Sequence, residues 1–232
     1  MGFDFDGVKA SLEEFIAKNS IRPSSDYFVW NSSVYALLDC VLSAQARYAS
    51  IVLPILKDRL PVRLEDTPQL TLSTLLADVD AFGENKFERY STEVFKNRQK
   101  ISGRLKLEVA CECAEFLREK GLETRADFQA MTPERLDSII LLELAQKVRG
   151  MGPTLARYLL MLLGREDHVK PDSLLLRLIA RETGWSARMG HAQDMEVVRQ
   201  ILTHLADEMR TSPARLDNAL WLFESTRKAK KH

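Results

Sequence analysis

Val148-Arg149-Gly150-Met151-Gly152-Pro153-Thr154-Leu155-Ala156 is the segment on which the reading of this chain turns. It is followed by Lys170-Pro171-Asp172, which places Asp172 eighteen residues beyond Thr154. Apolar residues at helical spacing flank it, with Ile139, Ile140, Leu144 and Val148 before and Leu155, Leu159, Leu160 and Leu163 after. The pattern predicts a helix, a tight hairpin and a second helix. Gly150 and Gly152 are expected to supply positive φ and close backbone approach, which a side chain would prevent. Pro153 suits the first turn of a helix, where its missing N–H costs nothing. The free N–H groups at that helix start, backed by the helix dipole, form a site for an anion such as a phosphate.

A plain corner between two helices could use the same glycines, so the surrounding residues decide. Gly150, Gly152 and Ala156, with Asp172 downstream, resemble the helix-hairpin-helix DNA glycosylase superfamily. Its pattern is roughly Leu-Pro-Gly-Val-Gly-x-Lys-Thr-Ala, followed by Val-Asp-Thr-His at the start of the next helix. In this chain Arg149 stands in place of the proline and Thr154 in place of the lysine. Lys170-Pro171-Asp172-Ser173 replaces the usual context of the aspartate. A second match lies about a hundred residues earlier. Tyr35-Ala36-Leu37-Leu38-Asp39-Cys40-Val41-Leu42-Ser43-Ala44-Gln45-Ala46 is similar to an early helix of endonuclease III relatives that ends Leu-Ser-Ala-Gln-Ala. The resemblance runs from Val34 to about Gly184 and includes a C-terminal helix carrying Leu220-Trp221-Leu222.

The resemblance implies an all-α fold of two lobes with a DNA-binding cleft between them. One lobe would span 30–163 and end in the hairpin; the other would combine 1–29 with 164–232. Asp172 would be the catalytic carboxylate, charged at a helix start and stabilising the positive sugar that forms as an N-glycosidic bond breaks. A helix cap after a proline turn is the simpler role for the same residue. Gln45 would enter the duplex beside an extruded nucleotide. Gly150, Gly152, Thr154 and Lys170 would contact the DNA backbone. Thr154 cannot form the imine that a lysine forms there in bifunctional members, so the implied enzyme is monofunctional, without lyase activity. Lys170 is read as a phosphate contact rather than as a substitute amine. The glutamate of the adenine-specific branch falls on Cys40, which argues against adenine as substrate. The implied partner is double-stranded DNA carrying a damaged base, bound by a monomer. No cofactor is expected beyond a possible monovalent cation at the hairpin. The alternative is a helix-hairpin-helix protein that binds DNA or a lesion without catalysis. Trp30, Tyr35, Tyr158 and Trp185 are candidates for a base pocket and equally for the core.

Composition sets outer bounds. With 232 residues and 45% apolar content the chain can build a sizeable core. Cys40, Cys111 and Cys113 are odd in number, and no secretory leader is apparent. A disulfide framework is therefore not expected and a cytoplasmic location fits. No cysteine follows Cys113, so the four-cysteine iron–sulfur loop of many endonuclease III relatives has no counterpart. No apolar run approaches the ~20 residues of a membrane span. The 33 basic and 33 acidic residues cancel, whereas DNA-binding domains are usually basic. Their distribution is uneven. Lys86, Arg89, Lys96, Arg98, Lys100, Arg104 and Lys106 form one basic run, and Arg227-Lys228-Ala229-Lys230-Lys231 forms another.

Helical spacing recurs from Val8 to Ile16, Val34 to Leu42, Ile51 to Leu60 despite Pro54, and Leu70 to Val79. It continues from Leu105 to Leu117, Leu136 to Val148, Leu174 to Ile179, Val197 to Met209 and Leu216 to Phe223. Ser11-x-x-Glu14 and Thr132-Pro133-Glu134 read as helix starts, and Gly121, Gly164 and Gly184 as stops. No strand is expected. Segment 20–33 reads as a linker, and 164–171 as a second break.

Overall fold

The computed structural model describes residues 3–24 and 29–229 and is mostly helical. It divides into two compact units, Val29–Gly164 and Met1–Phe28 with Arg165–His232. Each extends or recedes by one residue from the breaks read in the sequence.

The Val29–Gly164 unit is built around α2 (Ser33–Ser43), in which Ser33 to Leu42 are all buried. A helix apolar on every face must be enclosed. It is packed by α3 (Leu72–Asp80), α5 (Lys106–Glu119) and α9 (Pro153–Leu162). Ser32 caps α2 by accepting the Tyr35 N–H, while its own N–H and hydroxyl donate to Asp66 at 2.8 and 2.7 Å. The expected helix from Ile51 to Leu60 is instead two wide π turns, Tyr48–Val52 and Pro54–Arg59, and a 3₁₀ turn, Leu60–Val62. Pro54 has no N–H to give an α-helical ladder, and the turns on either side of it widen. The segment before the hairpin also departs from one regular helix. It runs through α7 (Pro133–Asp137), a π turn at Ser138–Leu144 and α8 (Ala145–Lys147).

Two short helices were not signalled by apolar spacing: α4 (Lys86–Glu93) and α6 (Arg125–Ala130). Thr124 and Asp127 start α6 with a reciprocal capping box. A small hairpin also corrects the expectation of no strand. β1 (Lys100–Ile101) pairs antiparallel with β2 (Arg104–Leu105). Ser102 and Gly103, at φ 52° and 84°, make the left-handed two-residue turn that suits such hairpins. Four residues of strand are too few to show alternation.

The second unit packs α1 (Phe5–Lys18) with α10 (Ser173–Thr183), α11 (Ala192–Glu208) and α12 (Pro213–Ala229). Leu12, Leu175, Leu178, Ile201 and Leu216 fill its core, and Phe15 meets Phe223 edge-on at 5.4 Å. Ser11 does not start α1. The helix begins at Phe5 under an Asp4 cap, and the Ser11 hydroxyl donates to the Gly7 carbonyl inside it. Thr132 does cap α7, and Gly121, Gly164 and Gly184 do follow helix ends. Of the basic tail, Arg227 pairs with Glu224, while Lys230 and Lys231 lie outside the described residues. Ser25 of the expected linker also lies outside them.

Candidate functional site

The hairpin between α8 and α9 is a β-turn closed by the Met151 N–H donating to the Val148 carbonyl at 3.0 Å. Gly150 sits at its third position with φ +110°, a region closed to most side chains. A Cβ there would also lie 3.4 Å from Ile101 of β1 and Val109 of α5. That distance is ordinary van der Waals contact, so it is the backbone conformation that requires glycine at 150. Gly152 is different, and here the sequence expectation is corrected. Its φ of −77° and ψ of 171° are ordinary extended backbone, and nothing lies within 4 Å of an added Cβ. The fold does not need a glycine at 152. A phosphate approaching the backbone would.

Pro153 opens α9 as expected. Gly152 caps it without a side chain, and the N–H groups of Thr154 and Leu155 have no hydrogen-bond partner among the described residues. Gly152 and Pro153 are exposed and Thr154 is half-buried. Two adjacent backbone donors therefore face outward at the positive end of a ten-residue helix. Gly152→Val is expected to leave the thermal midpoint nearly unchanged and, if the hairpin grips a DNA phosphate as the resemblance implies, to weaken binding to all duplexes alike, since phosphate contacts carry no sequence information. Gly150→Ala should destabilise the fold by about 1–2 kcal/mol through its φ alone. Thermal melts with fluorescence-anisotropy titrations separate the two. A Gly152→Val variant that unfolds, or that binds duplex normally, contradicts the assignment.

In the same unit α2, which ends two residues before Gln45, is tied to this hairpin. The Cys40 thiol of α2 donates to the Leu155 carbonyl in the first turn of α9 at 3.1 Å. Beyond Ser43 the chain leaves the helix, and Gln45 is exposed in the left-handed region at φ 52°. No hydrogen bond among the described residues uses its side chain. A residue held in a disfavoured conformation with an unengaged side chain is a reasonable functional candidate. Lys106 supports that turn from below. It is buried, and its ammonium donates to the Leu42 carbonyl at 2.8 Å and the Gln99 side chain at 2.7 Å. Burial pulls this amine down to about 8. Gln45→Gly is expected to stabilise the fold by about 1 kcal/mol, because glycine adopts φ > 0 freely. If Gln45 enters a duplex as the resemblance implies, the variant should also slow base release from well-paired lesions more than from mismatched ones. Equal slowing on both would make Gln45 a structural residue.

The basic run is less available than its composition suggests. Lys86, Arg89, Arg98 and Arg104 pair with Asp80, Glu93, Glu88 and both Glu108 and Glu112. Lys106 is buried. Lys96 and Lys100 remain exposed without an acidic partner among the described residues, as do Arg47, two residues beyond Gln45, and Arg149 in the hairpin.

Sequence reading did not single out Asp39. It is fully buried in α2 and accepts from the Trp30 indole at 2.7 Å, the Tyr48 hydroxyl at 2.7 Å and the Tyr158 hydroxyl at 3.2 Å. The signal available was an acid inside an otherwise apolar run. Trp30 and Tyr35 are core aromatics, and Trp185 meets Phe3 in the other unit at a tilt, with ring centroids 4.5 Å apart. Cys111 and Cys113 are buried thiols; burial pushes Cys111 up to about 12 and Cys113 well above its ordinary value. Neither suits nucleophilic work.

Lys170 and Asp172 belong to the second unit. The Asp172 N–H donates to the Lys170 carbonyl at 2.7 Å across buried Pro171, a tight three-residue turn. Asp172 caps α10: its Oδ1 accepts the Leu174 and Leu175 N–H groups at 2.8 and 3.0 Å. Its Oδ2 accepts no hydrogen bond among the described residues, and the side chain is half-buried. One oxygen serves the helix and the other is left over. Asp217 of α12, also absent from the sequence reading, is buried under this turn and accepts the Lys170 N–H at 2.5 Å.

Among the described residues no group of three His, Cys, Asp or Glu side chains is placed to hold a metal ion. No helix among them is long and apolar enough to cross a membrane. No curated protein and no solved structure matches the chain. A family model does match, over residues 8–225, and on that extent the chain belongs to the family described as domain of unknown function DUF8548.

Proposed function

We propose that this chain is a monofunctional DNA glycosylase of the helix-hairpin-helix superfamily that hydrolyses the N-glycosidic bond of an extruded damaged base. The observation that carries the reading is the hairpin: a Gly150 turn that delivers the outward N–H groups of Thr154 and Leu155 beside the open face of Gly152. That is a backbone grip for one DNA phosphate, independent of sequence. In this proposal Gln45 takes the place of the departing base, and Lys170 adds a phosphate contact.

Chemistry is assigned to Asp172. As the base leaves with the bonding electrons, positive charge grows on the deoxyribose, and the uncapped Oδ2 is an acceptor free to face it. Water then adds to C1′ and gives up its proton, to the carboxylate or to solvent, leaving an abasic site. Thr154 has no amine, so no Schiff base forms at that position. The proposed cation, if it binds, would take hairpin carbonyls; that of Val148 already accepts one N–H.

The test is incubation with duplexes carrying uracil, alkylated purines or oxidised bases, then alkali. The expected outcome is one lesion class whose strand breaks only after alkali. Binding without base release on every duplex would favour the second reading, a non-catalytic DNA- or lesion-binding protein. Two observations lean that way: Asp172 already has a structural job as a cap, and much of the basic run is neutralised.

A further inference from the structure

We propose that Lys106 is the positioning residue for Gln45: its buried ammonium fixes the turn that presents Gln45 and, through the first turn of α5, holds that turn in register with the Gly150 hairpin. The role rests on the reading in which Gln45 enters the duplex; the bonds that hold the turn do not.

Ser43-Ala44-Gln45-Ala46 is a type II turn. Ala44 has φ −58° and ψ 117°, Gln45 follows at φ 52°, and the Ala46 N–H closes the turn on the Ser43 carbonyl at 3.2 Å. The third position of such a turn favours glycine, so a glutamine there needs support from outside. The helix end just before it is open. The Ala44 N–H donates to the Val41 carbonyl and the Ala46 N–H to that of Ser43, and no backbone N–H among the described residues donates to Leu42. The Lys106 ammonium takes the Leu42 carbonyl at 2.8 Å, placing a positive charge on the negative end of α2.

Lys106 is itself held. Its ammonium also donates to the Gln99 side chain at 2.7 Å, and its backbone N–H to the Gln99 carbonyl at 3.0 Å. It is only 3% exposed, and no acidic side chain among the described residues pairs with it. Burial pulls its amine down to about 8, the mark of a charge that costs stability to enclose. Methionine would fill the same space with no charge to bury, so stability alone does not account for the lysine. Three residues along the same face of α5, Val109 makes ordinary contact with the place a Cβ would take on Gly150, at 3.4 Å. Ile101, two residues beyond Gln99, makes the same contact. The segment 99–109 thus reaches the Gln45 turn through Lys106 and the hairpin turn through Ile101 and Val109.

The experiment compares wild type, Lys106→Met, Gln45→Gly and the double variant. Each is mixed with duplexes carrying 2-aminopurine beside the lesion, whose fluorescence rises as the stack opens, and amide hydrogen exchange is followed in each free protein. Lys106→Met should cut protection of the Ala46 amide by about tenfold, the worth of one hydrogen bond to a charged group. The Met151 amide of the hairpin turn should stay within about twofold. Lys106→Met and Gln45→Gly should each slow the fluorescence rise by about tenfold, and the double variant by about tenfold rather than a hundredfold, because both act through one side chain. An unslowed rise in Lys106→Met, or effects that multiply, overturns the proposal. Should Lys106→Met fail to fold, Gln99→Ala removes the second bond from a half-buried position and should shift both readouts the same way by about threefold; no shift there overturns the proposal as well. A wild-type protein that gives no rise on any duplex it binds overturns the entry of Gln45 and the role of Lys106 with it. A rise without base release would overturn the glycosylase reading and leave this role standing.

Discussion

Asp172→Asn is expected to lower base release by ~10²–10³-fold, the usual loss when one preorganised electrostatic group is removed. Fold and duplex affinity should stay close to wild type. The expectation follows from how the two oxygens are used. Oδ1 accepts the Leu174 and Leu175 N–H groups, and an asparagine carbonyl can do the same. Asparagine is as good a cap as aspartate, so α10 should lose almost nothing. Only the negative charge and the uncapped oxygen go. Asp172→Ser is the useful companion, because it keeps a cap and removes the carboxyl altogether. Asp172→Ala is a poorer probe, since it adds about 1 kcal/mol of lost capping to any chemical effect. Rates under single-turnover conditions, with melts of each variant, check the prediction. Base release by the Asp172→Asn variant at the wild-type rate would leave Asp172 as a cap and nothing more.

The largest effect on stability is expected at Asp39. Replacing it by alanine removes the acceptor of the Trp30 indole, the Tyr48 hydroxyl and the Tyr158 hydroxyl at once, inside a helix with no access to water. The buried indole and the two partly buried hydroxyls lose a charged acceptor together, and the loss should reach about 3–5 kcal/mol. Asp39→Asn keeps one acceptor oxygen and turns an amide NH₂ toward the other donors, so it should cost less than alanine. The shift in denaturant midpoint at constant slope measures both. An Asp39→Ala variant within about 1 kcal/mol of wild type would show that the three donors find other partners. The network also joins α2 to Tyr158 of α9, so loosening it should disturb the helix start that presents the Thr154 and Leu155 N–H groups.

What the sequence carried legibly was the set of long helices and the hairpin between them. α2, α5 and α11 each repeat apolar residues at helical spacing over more than two turns, and such runs have one way to bury themselves. Short elements escaped. α4 and α6 are too brief to show a period, and the strand pair at 100–105 is shorter still. The widened turns around Pro54 and at Ser138–Leu144 keep an apolar face while changing their hydrogen-bond ladder, and apolar spacing cannot distinguish the two.

The candidate site was legible in part for the same reason. Gly150 announces a backbone need, whereas Gly152 looked identical and has ordinary backbone. A glycine in a sequence does not say whether it serves conformation or an approaching ligand. Asp172 could be placed at a helix start, but the division of labour between its oxygens is a matter of three-dimensional geometry. Asp217 lies in a helix whose spacing marks it as an ordinary position, and Asp39 stands out only as an acid in an apolar run. Their weight comes from partners 9, 119 and 47 residues away in the chain.

The most direct measurement of the central claim is mass spectrometry of both products after the wild-type protein acts on the lesion duplex it prefers, with borohydride present in a parallel sample. Hydrolysis at C1′ with no amine attacking the sugar predicts free damaged base, an intact strand carrying an abasic sugar, and no protein joined to DNA by reduction. Strand cleavage before alkali, or a reduced protein–DNA adduct, would show an amine at work and contradict the assignment built on Thr154. Intact lesion strand from every duplex that the protein binds would contradict the glycosylase itself.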